Sequence, residues 1–201
     1  YVTAVVELRA RFDEARNIKW AKRLERAGAQ VIYGLAGLKV HAKALLIVRR
    51  EPDRIRRYVH MGTGNYNDAT AKLYTDFGML TCREDFGDDV AAFFNMVTGY
   101  SQPAAWRKIE VAPLGLRPAF LHLIGREAER AQSGRRAAIN AKVNSLSDPE
   151  IIEALYDASE AGVKIRSTQG ADHHIAWDRV RSIDTDRLEP DLDERLEMAE
   201  T

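Results

Sequence analysis

Along this chain, apolar and polar residues repeat with a period of two in some stretches and near 3.6 in others, and the two periods take turns. Residues 2–8 alternate weakly and are rich in β-branched side chains, which predicts a strand. Ile18, Ala21, Leu24 and Ala27 then recur at helical spacing, with Asp13 placed to cap that helix and Gly28 placed to end it. Residues 30–33 predict a second strand. Strand, helix, strand in this order predicts an α/β layer with parallel pairing.

The longest strand-like pattern lies in residues 37–67, GLKVHAKALLIVRREPDRIRRYVHMGTGNYN. Val40, Ala42, Ala44, Leu46 and Val48 alternate with His41, Lys43, Leu45 and Ile47. A strand with that pattern projects His41 and Lys43 from one face. A second strand over 58–61 returns beside it and delivers its end to Gly62-Thr63-Gly64-Asn65, where two glycines permit a tight bend that can present N–H groups to an anion. Residues 68–73 predict a helix capped by Asn67 or Asp68, its positive end turned toward the same anion. Asp88, Asp89, Phe93 and Phe94 fall in an amphipathic helix over 85–95, read as core packing with a solvated acidic face.

The pattern breaks over 98–113, with a glycine, two prolines and Trp106, and resumes near Arg117. This break is the candidate domain boundary. Further on, INAKVNSLSD predicts a short strand that brings Lys142, Asn144 and Ser145 to its end. Ser147 or Asp148 then caps a helix with Pro149 in its first turn, and Gly162 ends it.

Composition narrows the partners. The chain has 201 residues, 45% of them hydrophobic, enough for one large or two small globular domains. Thirty basic and thirty acidic residues cancel to a formal charge of zero, so no overall field draws it to nucleic acid or an anionic membrane. An anion site must therefore be a local concentration of charge. The single cysteine, Cys82, has no internal disulfide partner and is read as a small, partly buried filler. No stretch approaches the roughly 20 apolar residues of a membrane span, and the cytoplasm is the expected location. Because the sequence opens within a strand pattern and without methionine, we expect it to be a piece of a longer protein.

The chemistry these residues suit is phosphoryl transfer. A neutral imidazole nitrogen can attack phosphorus and split one displacement into two, while a lysine and a backbone turn offset charge on the phosphoryl oxygens. Arg11, at the strand-to-helix junction, reads from its neighbours as a surface ion pair. Tyr74 reads equally as a packed aromatic or a ligand contact, and Asp76 as a group that fixes a catalytic side chain or caps a turn. His60 is read as structural, since no cysteine or carboxylate near the two histidines has zinc spacing.

Four stretches carry a resemblance: VELRARFDEARNIKWAKRLERAG, GLKVHAKALLIV, YVHMGTGNYNDATAKLYTDFGMLT and INAKVNSLSDPEIIEALYDASEAGVKI. Together they resemble the C-terminal catalytic half of the histidine-dependent, long-chain polyphosphate kinases, almost continuously from residue 1 to about 165. The resemblance implies a phospholipase D-like α/β fold, a mixed sheet flanked by helices, with residues 1–106 in a first catalytic domain, 107–166 opening a second, and 167–201 a divergent tail. It implies transfer between ATP and polyphosphate through a phosphohistidine at His41, assisted by Lys43 and Asn65. It further implies Arg11 at the phosphate and Mg²⁺ site, Tyr74 at the nucleotide, with Asp76 and Lys142 as further contacts, and a homo-oligomer in the intact protein. Beyond Ile165 the similarity stops, and His173-His174 do not stand at His-x-Lys spacing. Residues 167–201 are expected to be disordered or loosely helical. Two other readings stay open: a phospholipase D-like phosphodiesterase, whose motif wants an aspartate where Val48 stands, and a phosphate-binding remnant without catalysis.

Overall fold

The computed structural model describes residues 1–9, 14–99, 101, 105–169 and 173–176. They form an α/β chain of two compact units, Tyr1–Ile109 and Glu110–Thr201. Asp13 and Arg11 lie outside the described residues, as does the tail beyond 176.

In the first unit, strand β1 (Thr3–Val6) leads to helix α1 (Glu14–Arg26), which returns to strand β2 (Gln30–Tyr33). β1 and β2 pair in parallel, Thr3 opposite Gln30, as the strand, helix, strand order predicts. Gly28 adopts φ +87°, a left-handed conformation that releases the chain from the helix at little steric cost. Ala21 on α1 is fully buried.

A three-stranded antiparallel sheet follows, made of β3 (Lys43–Arg50), β4 (Ile55–Gly62) and β5 (Gly78–Thr81). Its register sets Lys43 opposite Gly62 and Gly62 opposite Gly78. Val59, 1% exposed, is buried on one face, against which helix α2 (Glu84–Gly99) packs through Val90 and Val97. On the other face Leu45, Ile47, Tyr58 and Leu80 are exposed. Since side chains alternate along a strand, Lys43 belongs to that second face.

Three details differ from the sequence reading. Asp89 is not on a solvated acidic face: it is 3% exposed, and its carboxylate accepts backbone N–H bonds from Arg107, Lys108 and Ile109 at 2.6–3.2 Å. Satisfying an otherwise orphaned stretch of backbone repays the burial of that charge. Cys82 is exposed rather than partly buried. The helix expected over 68–73 is only a 3-10 turn at Thr70–Lys72.

The second unit contains helix α3 (Leu116–Gln132), strand β6 (Ala138–Val143), helix α4 (Pro149–Glu160), strand β7 (Lys164–Gln169) and strand β8 (His173–Ala176). β6 and β7 pair in parallel, and β8 adds antiparallel to β7. Residues 167–169 are thus strand, not loose helix, because β7 continues along β6, and 173–176 are strand because the other edge of β7 offers them a ladder. Asp148 caps α4 by accepting the Ile151 N–H at 3.1 Å, Pro149 sits in the first turn, and Gly162 leaves the helix at φ +98°. Ile124, Leu155, Ala158, Val163 and Ile165 form the core of this unit.

Candidate functional site

The first strand of the hairpin begins at Lys43, so His41 lies two residues before it rather than within it. The reason is the partner strand. β4 ends at Gly62, opposite Lys43, and the next residue turns its N–H to the Phe77 carbonyl at 3.0 Å, leaving residues 40–42 no strand to pair with. The Val40 N–H is taken instead by the Glu7 carboxylate at 2.8 Å.

The expected juxtaposition still forms. Lys43 Nζ lies 3.0 Å from His41 Nε2. An ammonium has only donors, so this contact makes Nε2 the acceptor and puts the ring proton on Nδ1. Partial burial of the ring, then the charges of Lys43 and Lys39, lower the His41 pKa below its ordinary value of 6.5 and so favour the neutral imidazole. Burial also lowers the Lys43 pKa, against an opposing pull from Asp76. A neutral, nucleophilic ring is thereby held against a cation that can donate to an incoming phosphoryl group.

Asp76 is tied into the turn after β4. Thr63 Oγ1 donates to its carboxylate at 2.9 Å, and the Phe77 N–H donates back to Thr63 Oγ1 at 3.0 Å. Neither turn glycine needs a positive φ. Gly64 is required for room: a Cβ there would overlap the Asp76 carboxyl oxygen and stand 2.6 Å from its Cγ. Gly78 leaves space in the same way for His60, whose Nε2 would be 3.2 Å from a Cβ. His60 Nδ1 is hydrogen-bonded to Tyr66 Oη at 2.7 Å, in keeping with a structural reading of that histidine.

Asn65 is exposed in the turn, and its carbonyl accepts the Asn67 N–H at 2.8 Å. Asn67 Oδ1 in turn accepts from Ala69 and Thr70, the cap that the sequence suggests, but the three-residue 3-10 turn behind it is too short to carry a helix dipole. Tyr74 follows this turn, half-buried. Lys142 is exposed on β6, in the second unit. The structure thus brings His41 and Lys43 together, sets Asp76 against the Gly62–Asn65 turn, and leaves Arg11 undescribed. Glu7 and Thr63 were missed by the sequence reading, since each acts through a partner distant along the chain.

Magnesium in phosphate sites is commonly held by one or two carboxylates and the substrate phosphates themselves. Among the described residues no group of three or more His, Cys, Asp or Glu side chains gathers into a metal cluster. Asp76 is the carboxylate beside Lys43, and it is committed to Thr63. The described residues do not build a site for the ion by themselves.

Comparison with known proteins finds relatives along most of the chain. Residues 1–103 match the family model for polyphosphate kinase C-terminal domain 1, and residues 109–168 that for C-terminal domain 2. A polyphosphate kinase of Rhodopirellula baltica is 59% identical over 83% of this chain, and one of Halalkalibacterium halodurans 54% identical over 82%. Those matches cover 20% and 23% of the relatives, so the chain spans about a fifth to a quarter of the curated relatives it matches. The crystal structure of polyphosphate kinase from Porphyromonas gingivalis superposes with a TM-score of 0.72 at 38% identity, over 84% of this chain and 28% of that one. The expected phospholipase D-like α/β fold is therefore the fold observed, with the parallel and antiparallel pairs of the described residues distributed over three small sheets. With both C-terminal domain models matched along its length, the chain belongs to the polyphosphate kinase family.

Proposed function

We propose that this chain carries part of an ATP:polyphosphate phosphotransferase site in which His41 is the nucleophile. The observation that carries this reading is the 3.0 Å contact between His41 Nε2 and Lys43 Nζ beside a glycine turn. In the first step a His41 ring nitrogen attacks the terminal phosphorus of ATP, an N–P bond forms, and the P–O bond to the departing ADP breaks. In the second, a terminal oxygen of polyphosphate attacks that phosphorus and the N–P bond breaks, regenerating the imidazole. Lys43 turns its donation from the ring to the phosphoryl oxygens, where charge accumulates as transfer proceeds. Asn65, exposed in the turn, adds neutral donors.

Arg11, Tyr74 and Lys142 enter this reading through the family resemblance alone. A guanidinium at Arg11 would bind phosphate oxygens beside Mg²⁺ rather than the ion itself. Tyr74 would contact the nucleotide, and Lys142 the polyphosphate. A homo-oligomer and a cytoplasmic location belong to the same reading. No helix among the described residues is long and apolar enough to cross a membrane.

The test is labelling of the chain by ATP with Mg²⁺, and separately by labelled polyphosphate. Phosphohistidine is alkali-stable and acid-labile. We expect acid-labile label that disappears in His41→Ala. Label retained at full level in that variant would reject His41 as the nucleophile. No label on a folded chain would favour an anion-binding piece that needs further segments for transfer.

A further inference from the structure

We propose that Glu7 is a positioning residue for His41: its carboxylate fixes the backbone immediately before the histidine and so sets where the imidazole stands. This inference rests on the reading of His41 as nucleophile. Glu7 follows β1, far from the hairpin in sequence, and divides its carboxylate between two segments. Oε2 accepts the Val40 N–H at 2.8 Å, and Oε1 accepts the Arg9 N–H at 2.8 Å. Its own carbonyl accepts from Asn17 Nδ2 of α1 at 2.8 Å, so the residue is anchored before it reaches across.

The position of the clasp makes it more than a general support. Among the described residues, 40–42 have no ladder partner, since β3 starts at Lys43 and the partner strand turns away after Gly62. The bond to Glu7 therefore stands in for the missing strand pairing at the residue adjoining the nucleophile. Both carboxylate oxygens also lie within ordinary contact, 3.9 Å, of where a Cβ of Gly34 would be, so the carboxylate packs beside a turn whose φ of +63° favours glycine. The other donor, Arg9, lies two residues before Arg11 in the sequence.

The two backbone N–H bonds hold the Glu7 pKa below its ordinary value, so the clasp stays ionised at neutral pH. Hydrogen bonds to a charged acceptor are the stronger kind. Misplacing a reacting group by about 1 Å can cost on the order of 100-fold in rate.

The experiment compares the 201-residue chain with Glu7→Ala, Glu7→Gln and His41→Ala, reading the rate of phosphohistidine formation and the His41 titration by NMR. Glu7→Gln keeps one carbonyl acceptor and serves where Glu7→Ala does not fold. We expect Glu7→Ala to slow labelling about 10- to 100-fold, with partial recovery in Glu7→Gln. We also expect the His41 midpoint to rise toward that of an ordinary histidine as the ring is released to solvent. Loss of a nearby anion alone would lower that midpoint, so the sign separates repositioning from simple charge removal. A melting temperature that falls while the midpoint stays fixed and the rate within about twofold would make Glu7 a structural residue and overturn the proposal. If His41→Ala keeps its label, the nucleophile reading fails by itself. The midpoint in Glu7→Ala then decides separately whether Glu7 places the ring, and decides it equally where no chain takes label.

Discussion

His41 and Lys43 impose a pH dependence whose direction follows from their surroundings. Burial lowers both pKa values, and the neighbouring lysines lower that of His41 further. The reactive imidazole is the neutral one. Labelling should therefore rise through a midpoint below 6.5, stay level, and fall again below the ordinary lysine value of 10.5 as Lys43 loses its proton. A pH series of labelling rates checks this, and an acid limb above 6.5 would contradict the lowered pKa of the ring. The same shift has a sign for stability. The fold prefers the uncharged ring, so acidification below the unfolded value costs stability at this position. The adjacency of the two side chains was legible because two residues of alternation are a local matter. Glu7 and Asp76 were not legible as partners, since their roles depend on what folds against them from residues 40 and 63.

The connection between β4 and β5 works as a unit. Thr63 bonds to Asp76 through its side chain and to Phe77 through its backbone, and Gly64 gives the Asp76 carboxyl the space to lie over the turn. Asp76 is short and held by Thr63, so a methyl at position 64 cannot be accommodated by a small swing of a flexible end. We expect Gly64→Ala to displace Asp76, break its bond to Thr63 and slow labelling about tenfold or more, at a stability cost of about 1–3 kcal/mol. Denaturant unfolding alongside labelling checks both halves. Retention of wild-type rate would show that the turn tolerates the displacement. The glycines pointed to this turn from sequence, but for another reason than the one that operates. A tight bend presenting N–H groups to an anion was expected, whereas close approach of a side chain twelve residues on is what excludes a Cβ at Gly64. In the same way, period-two alternation found β3 but set its start too early, since a strand ends where its neighbour does.

The two units differ in how they were foreshadowed. Asp148, Pro149 and Gly162 announced the ends of α4 through local chemistry, and the structure uses all of them. The strands at 164–169 and 173–176 had no such punctuation, and their pairing is a property of the sheet they join. Family membership was legible from four long stretches, whereas a formal charge of zero said only that any anion site is local.

Asp89 has a consequence for how this molecule can be divided. Its buried carboxylate accepts the backbone N–H groups of residues 107, 108 and 109, so the first unit carries its latch in its last three residues. A polypeptide ended at Ile109 keeps every donor, while one ended at Trp106 strands an anion in the interior, a loss of about 1–3 kcal/mol or more. Expressed side by side, the shorter product should melt at lower temperature and be digested faster by protease, and equal behaviour of the two would show that water replaces the latch. For anyone excising this unit to study it alone, the choice of a stop codon three residues earlier or later selects between a self-contained piece and one that opens from its own end.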